Sequence, residues 1–222
     1  AKQLLREHNV SVRIIATEAF KPVVLGGVGT ESIGKDPHCL EHLELVRASI
    51  DAARFFGAPM VRIFSFRRDT MIGLGNPTTR FARGGDFPEE MVEKVAAALT
   101  PALDIAREEG VVLAVENVRS CWCNSGRNTA LLLQAVDSPW LKVIWDPANA
   151  FVSGEENVTG EGYAEVRSSV AHVHLKDAVV LDQDTGLTEW ERIGDGSVEL
   201  LDSLRVLRDD GYNGCVSIET HW

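Results

Sequence analysis

Two kinds of segment alternate along the chain. Short, apolar, β-branched runs stand at Val10 to Ala16, Val61 to Phe66, Val111 to Val115, Val143 to Trp145, Ala171 to Leu175 and Val216 to Ile218. Between them lie longer stretches with helical period. In Pro37 to Phe56 the apolar positions Leu40, Leu43, Val46, Ile50 and Ala53 fall on one face. Asp36-Pro37 predicts an N-cap followed by proline in the first turn, and Gly57 predicts the stop. Pro88 to Glu109 repeats the pattern through Met91, Val95, Leu99, Leu103 and Ala106, closing at Gly110. Thr129 to Val136 and Val198 to Asp209 are shorter helices, the last closed by Gly211.

Strand–helix alternation implies right-handed crossovers and a parallel sheet. Continuous apolar runs imply strands covered on both faces. An open doubly wound sheet and a closed (β/α)8 barrel both fit. No Gly-x-Gly-x-x-Gly follows an early strand, which weakens the dinucleotide-binding version of the first. Gly29 to Lys35 has most of the spacing of a phosphate loop. However, Asp36 stands where Ser or Thr would bind magnesium, and its charge would repel phosphate. The segment reads as a Gly-rich loop before a helix cap.

The sequence holds 22 Lys and Arg against 33 Asp and Glu, a formal charge of −11. That balance argues against nucleic acid and anionic membrane as main partners. No run of 18 apolar residues marks a transmembrane helix, and no signal peptide is visible. The cysteines are Cys39, Cys121, Cys123 and Cys215, too few in this length for a disulfide framework. The Cys121-x-Cys123 spacing does not suit a zinc knuckle. Reduced thiols and a cytoplasmic location are expected.

Polar residues collect where the later apolar runs end. Val111 to Val115 leads into Glu116-Asn117, Val143 to Trp145 into Asp146-Pro147-Ala148-Asn149, Ala171 to Leu175 into Lys176-Asp177, and Val216 to Ile218 into Glu219-Thr220-His221. Glu116, Asp146, His174 and Glu219 are separated by 30, 28 and 45 residues, the lengths of successive βα units. Each strand thus delivers one side chain to the same edge of the sheet, where parallel barrels carry their active sites. Three carboxylates and an imidazole at one point repel unless a cation neutralises them. Oxygen-rich ligation with one nitrogen suits Mn²⁺ or Mg²⁺, with Co²⁺, Fe²⁺ or Zn²⁺ also compatible.

The segments Glu116-Asn117, Trp145-Asp146-Pro-Ala-Asn149, His172-Val-His174-Leu-Lys-Asp177, Gly194-Asp-Gly196 and Gly211-Tyr-Asn-Gly214-Cys-Val-Ser-Ile-Glu219 resemble the sugar phosphate isomerase/epimerase family of xylose isomerase-like TIM barrels. The resemblance covers most of the chain and is clearest from residue 111 onward. It implies one (β/α)8 domain over residues 1–222. It further implies that Glu116, Asp146, His174 and Glu219 bind one divalent metal, with Glu116 and Glu219 doubling as the acid/base pair. The expected activity is isomerisation or epimerisation of a sugar or polyol, phosphorylated or not, through an enediolate. Two positions depart from the family pattern. Asn149 stands where many members place His three residues after the metal-binding Asp, and Val118 stands where many carry a polar residue. Asn can hydrogen-bond a substrate hydroxyl but carries no proton near neutral pH.

Other side chains are candidates for holding substrate. His172 shares a strand face with His174, and its alternatives are a neighbour supporting a ligand and a satisfied core histidine. Lys176 lies on that face too, and His221 follows Glu219 by two. Trp122 and Trp190 are expected in loops after Glu116 and His174, where an aromatic face can pack on a sugar; Trp145 is expected in the core. Arg67 to Phe87 reads as a long loop with Arg67, Arg68, Arg80 and Arg83 against Asp69 and Asp86, expected to be mobile and able to close over an anionic group.

The enzyme alternative is a metal-dependent dehydratase of a cyclic polyol or hydroxy acid, which also begins with α-proton removal. An abasic-site endonuclease on this barrel needs more histidines than the six present, and a non-catalytic binding module remains a reading from another class. The partner expected is a small carbohydrate, not nucleic acid or membrane, with self-association open. A full barrel takes about 250 residues and eight strands. Six strands are counted, and by resemblance Val10 to Ala16 matches the third, so the first two βα units are expected to be missing. The absence of Met at position 1 favours a truncated sequence over a partner chain that covers the gap between the strands at Val10 and Val216.

Overall fold

A computed structural model describes residues 1–68, 85–155, 157–183 and 185–221. The chain opens with helix α1 (Lys2–Glu7), strand β1 (Ile14–Ile15), a 3₁₀ turn at Thr30–Lys35, and helix α2 (Pro37–Phe56). Then follow β2 (Met60–Ile63), α3 (Glu89–Glu109), β3 (Val112–Glu116), α4 (Gly126–Val136), β4 (Leu141–Trp145) and α5 (Pro147–Val152). A π-helical turn at Val158–Gly162 runs into α6 (Tyr163–Val166), and the chain ends with β5 (Val170–Leu175), β6 (Asp177–Asp182), β7 (Leu187–Glu191), α7 (Leu200–Asp209) and β8 (Cys215–Ile218).

Six strands pair in the order β1-β2-β3-β4-β5-β8, every contact parallel, so the sheet is a curled half-barrel of the expected kind. Among the described residues β1 and β8 are its edges. No helix among them is long and apolar enough to cross a membrane.

Local chemistry sets the boundaries. Asp36 Oδ1 accepts from Cys39 N at 2.9 Å, Pro37 fills the first helical position, and Gly57 ends α2 with φ 75°. α4 begins three residues before its periodicity predicts, because Ser125 Oγ caps it by accepting from Asn128 N at 3.1 Å. Gly126 is needed there: a Cβ would lie 1.9 Å from Gly162 O, where α4 meets the π-helical turn. The first strand is shorter than the apolar run Val10 to Ala16, because only Ile14 and Ile15 find partners, on Met60 and Val61. The antiparallel hairpin of β6 and β7 is an element that helical and parallel-strand patterning does not anticipate.

Strand alternation sorts the side chains. Val61, Ile63, Leu113, Val115, Leu141, Val143, Trp145 and Val173 join Val46, Ile50, Leu99 and Ala102 of the helices in the main core. Trp145 is buried there as expected, against Tyr163. The intervening positions, Arg62, Glu116, Ile144, His172 and His174, face the concave side. That face is more polar than the continuous apolar runs suggest.

Candidate functional site

The loops at the C-terminal ends of the strands are tied to one another by side chains that imitate sheet pairing. Asn117 Oδ1 accepts from Asp146 N at 2.8 Å, and its Nδ2 donates to Asp146 O at 2.9 Å. This two-way clamp fixes the end of β4 against the end of β3. Asp146 Oδ1 then caps α5 by accepting from Asn149 N at 2.8 Å, which leaves Oδ2 directed elsewhere. Asn149 Nδ2 donates to Asn117 O at 2.8 Å and to Glu116 Oε1 at 3.2 Å, so its amide positions a glutamate.

The structure brings Glu116, Asp146, His174 and Glu219 together, with one donor atom of each within 4.8 Å of the others. His174 Nδ1 lies 3.4 Å from Glu116 Oε1, 3.6 Å from Glu219 Oε2 and 3.9 Å from Asp146 Oδ2. Nδ1 is buried and makes no hydrogen bond. Asp146 Oδ2 is buried too, meeting the Lys176 ammonium at 2.9 Å without hydrogen-bond geometry. Buried polar atoms without hydrogen bonds are rare, and two that face one another make this a candidate place for a ligand. Three carboxylate oxygens and an imidazole nitrogen form a donor set that could hold a divalent ion.

Two cations enter the cluster. Lys176 Nζ lies 2.7 Å from Glu219 Oε2 as well as near Asp146. Arg62, which sequence reasoning passes over, reaches in from β2: its Nη1 is 3.0 Å from Glu116 Oε2 and 3.4 Å from Glu219 Oε1, and its Nη2 meets Glu18 Oε1 at 2.9 Å. Burial pushes the Glu219 carboxyl up, but Lys176, His174 and Arg62 outweigh it and hold the group down at about 2. Burial likewise opposes ionisation of Glu116, yet the close approach and charge of His174, with the charge of Lys176, bring it below the usual range. At Asp146 burial wins and the carboxyl is raised. His174 is raised because the surrounding carboxylates outweigh its burial.

The remaining candidates divide. His172 lies beneath His174, ring centroids 5.4 Å apart, with Nε2 2.8 Å from Ser217 Oγ and Nδ1 without a partner. Burial, helped by the charge of His174, lowers it to about 4, so it stays neutral. His221 Nε2 sits 3.5 Å from Glu219 Oε2. Trp190 is on strand β7 and not in a loop; its ring lies 5.3 Å from Lys176 Nζ and 5.2 Å from the His221 ring. Trp122, expected to offer an aromatic face to substrate, is instead buried in the main core, stacked on Phe87 at 5.3 Å with the Arg68 guanidinium 4.7 Å from its ring. The arginine of the cluster is Arg62; Arg67 is tied by its backbone to Val23 O at 2.7 Å. Most of the expected closing loop, residues 69–84 with Asp69, Arg80 and Arg83, lies outside the described residues.

Asp177 and the Gly194-Asp-Gly196 motif prove structural. The Asp177 carboxylate accepts from the backbone N–H of Gly194, Gly196, Val198 and Ala178 at 2.9 to 3.1 Å. A Cβ on Gly196 would lie 2.2 Å from Asp177 Oδ1.

Known proteins share this architecture. The model of a family described as xylose isomerase-like TIM barrel matches residues 1–222. An uncharacterized protein of Methanocaldococcus jannaschii is 26% identical over 137 residues, which is 60% of this chain and 45% of that protein, so the match spans less than half of the relative. The 3-keto-D-glucoside 4-epimerase YcjR of E. coli superposes with a TM-score of 0.70 at 17% identity, covering 99% of this chain and 75% of that one. The probable 3-DHS dehydratase AsbF of Bacillus anthracis gives 0.70 at 15%, covering 98% and 73%. A xylose isomerase-like TIM barrel protein of Mycobacterium smegmatis, in complex with magnesium, gives 0.69 at 18%, covering 100% and 70%. At these identities the structural likeness is one of fold.

Proposed function

Because the chain belongs to the xylose isomerase-like TIM barrel family, we propose that it contributes the active site of a divalent-metal-dependent isomerase or epimerase acting on a sugar or polyol. The observation that carries this reading is the convergence of Glu116, Asp146, His174 and Glu219, with the buried Nδ1 of His174 and Oδ2 of Asp146 lacking hydrogen bonds. Those four residues would hold the ion, with Mn²⁺ or Mg²⁺ matching the oxygen-rich set. When bound, the ion would polarise the substrate carbonyl and so acidify the neighbouring C–H.

The chain's own residues do the rest. Glu116 ends strand β3 and Glu219 directly follows β8, and each keeps a second oxygen, Oε2 and Oε1, turned away from His174 toward Arg62. One glutamate takes the α-proton and the other returns it, to the opposite face for an epimerisation. Asn149 holds Glu116 in place through its amide. Structural neighbours of this fold include a sugar epimerase and a dehydratase. The dehydratase favours a second reading, in which the same proton removal is followed by loss of a β-hydroxyl from a hydroxy acid or cyclic polyol.

Metal content by mass spectrometry, followed by solvent deuterium incorporation across ketoses, polyols and their phosphates, tests the proposal. A bound divalent ion with deuterium at one sugar carbon is expected; dehydrated product identifies the second reading. Protein that takes up no ion and exchanges no C–H overturns both.

A further inference from the structure

Lys176 occupies an unusual place for a cation beside a cluster read as a metal site. Its ammonium lies 2.9 Å from Asp146 Oδ2 and 2.7 Å from Glu219 Oε2. These are the same two oxygens that face His174 Nδ1. The outward oxygen of Glu219, Oε1, is directed instead at Arg62. The lysine is 4% exposed, so its charge depends on these carboxylates to stay in the interior. Beyond it stands the Trp190 ring, 5.3 Å from Nζ.

We propose that Lys176 is a resident counter-cation of the ligand set, holding Asp146 and Glu219 together in the metal-free protein and competing with the divalent ion for their two inward oxygens. The inference rests on the metal reading above. Two cations that share the same two oxygens repel across only a few ångströms of poorly screened interior. Entry of the ion therefore moves the ammonium off those oxygens. The face of Trp190, already 5.3 Å from Nζ, would retain the displaced ammonium by cation–π attraction. The competition keeps the ligands converged before the ion arrives and weakens its binding.

The test is calorimetric titration of chelator-stripped protein with Mn²⁺, for wild type, K176M and K176Q. Both charge-free variants are expected to bind Mn²⁺ at least about tenfold more tightly than wild type. In chelator they are expected to melt below wild type, with Mn²⁺ restoring them. Equal or weaker binding by folded variants, with wild type still binding, overturns the inference and leaves the metal reading standing. No Mn²⁺ bound by any of the three proteins overturns both. Should neither variant fold, amine labelling of wild type decides: faster modification of Lys176 with Mn²⁺ than with chelator supports displacement, and equal rates overturn it.

Discussion

On the proposed reading two demands meet at Glu219, because one carboxylate would both bind an ion and carry a proton. Its two oxygens face different neighbours, Oε2 toward His174 and Lys176 and Oε1 toward Arg62. Glu219→Gln keeps the shape and removes the base together with one ligand charge. The expected result is a folded protein with turnover reduced at least about a hundredfold, read by C–H exchange; activity above about a tenth of wild type would take Glu219 out of proton transfer. A second expectation concerns His172, which folding keeps neutral down to about 4. The unfolded chain takes up this proton near 6.5, so the unfolded state binds more protons between the two values. Stability should therefore fall as pH drops from about 6.5 toward 4 and flatten below. Denaturant unfolding at pH 7 and pH 4.5 should show a smaller difference in His172→Asn than in wild type. The four converging residues are legible in the sequence because Glu116, Asp146 and Glu219 each follow an apolar run and His174 stands one residue before the end of another, at the one edge where such side chains can meet. Arg62 is not, because in Met60-Val-Arg-Ile63 it reads as an interruption of a buried strand; its charge makes sense only beside Glu116 and Glu219, 54 and 157 residues away.

Among the elements, the hairpin of β6 and β7 shows where the pattern stops being informative. Helix periodicity and strand-end chemistry recover α2, α3 and the six parallel strands, since each follows from local spacing. The hairpin breaks the βα alternation, and its position depends on contacts far along the chain. Arg119 Nη1 donates to Gly186 O and Thr188 Oγ1, each at 3.0 Å, and to Val152 O at 3.3 Å, pinning β7 to the end of α5. From the other side, Asp177 gathers the amides of the segment after β7. Asp177→Ala should leave those buried N–H groups without an acceptor and cost about 3 kcal/mol or more in urea unfolding. Gly196→Ala should cost a similar amount, because the added methyl meets the same carboxylate. A loss below about 1 kcal/mol for either would show that the segment rearranges freely. Since Trp190 rides on β7, both variants should also disturb the wall beside Lys176.

For the molecule as a whole, the formal charge of −11 and the acidic cluster act in the same direction. On the metal reading, a divalent ion bound by the folded protein and not by the unfolded chain would stabilise the fold by mass action. Mn²⁺ at a hundred times its dissociation constant should raise unfolding stability by about 2.7 kcal/mol, and a chelator should remove the gain. Thermal melts with Mn²⁺ and with EDTA that coincide would contradict this. The position of β8 carries a further consequence. It is an edge strand among the described residues, joined to the sheet through β5, and its own apolar side chains Val216 and Ile218 are exposed. Little burial therefore opposes its detachment, and local opening of this strand should be among the cheaper fluctuations of the fold. Glu219 follows directly, its N–H donating to Leu175 O at 2.9 Å. An ion gripped by Glu219 and by three residues on or directly after inner strands would act as a bolt across that edge. Backbone amide hydrogens of β8 should exchange with solvent more slowly once Mn²⁺ is bound, and Glu219→Gln should abolish the slowing. At the opposite edge, β1 carries none of the four residues, and its exchange should be indifferent to the ion.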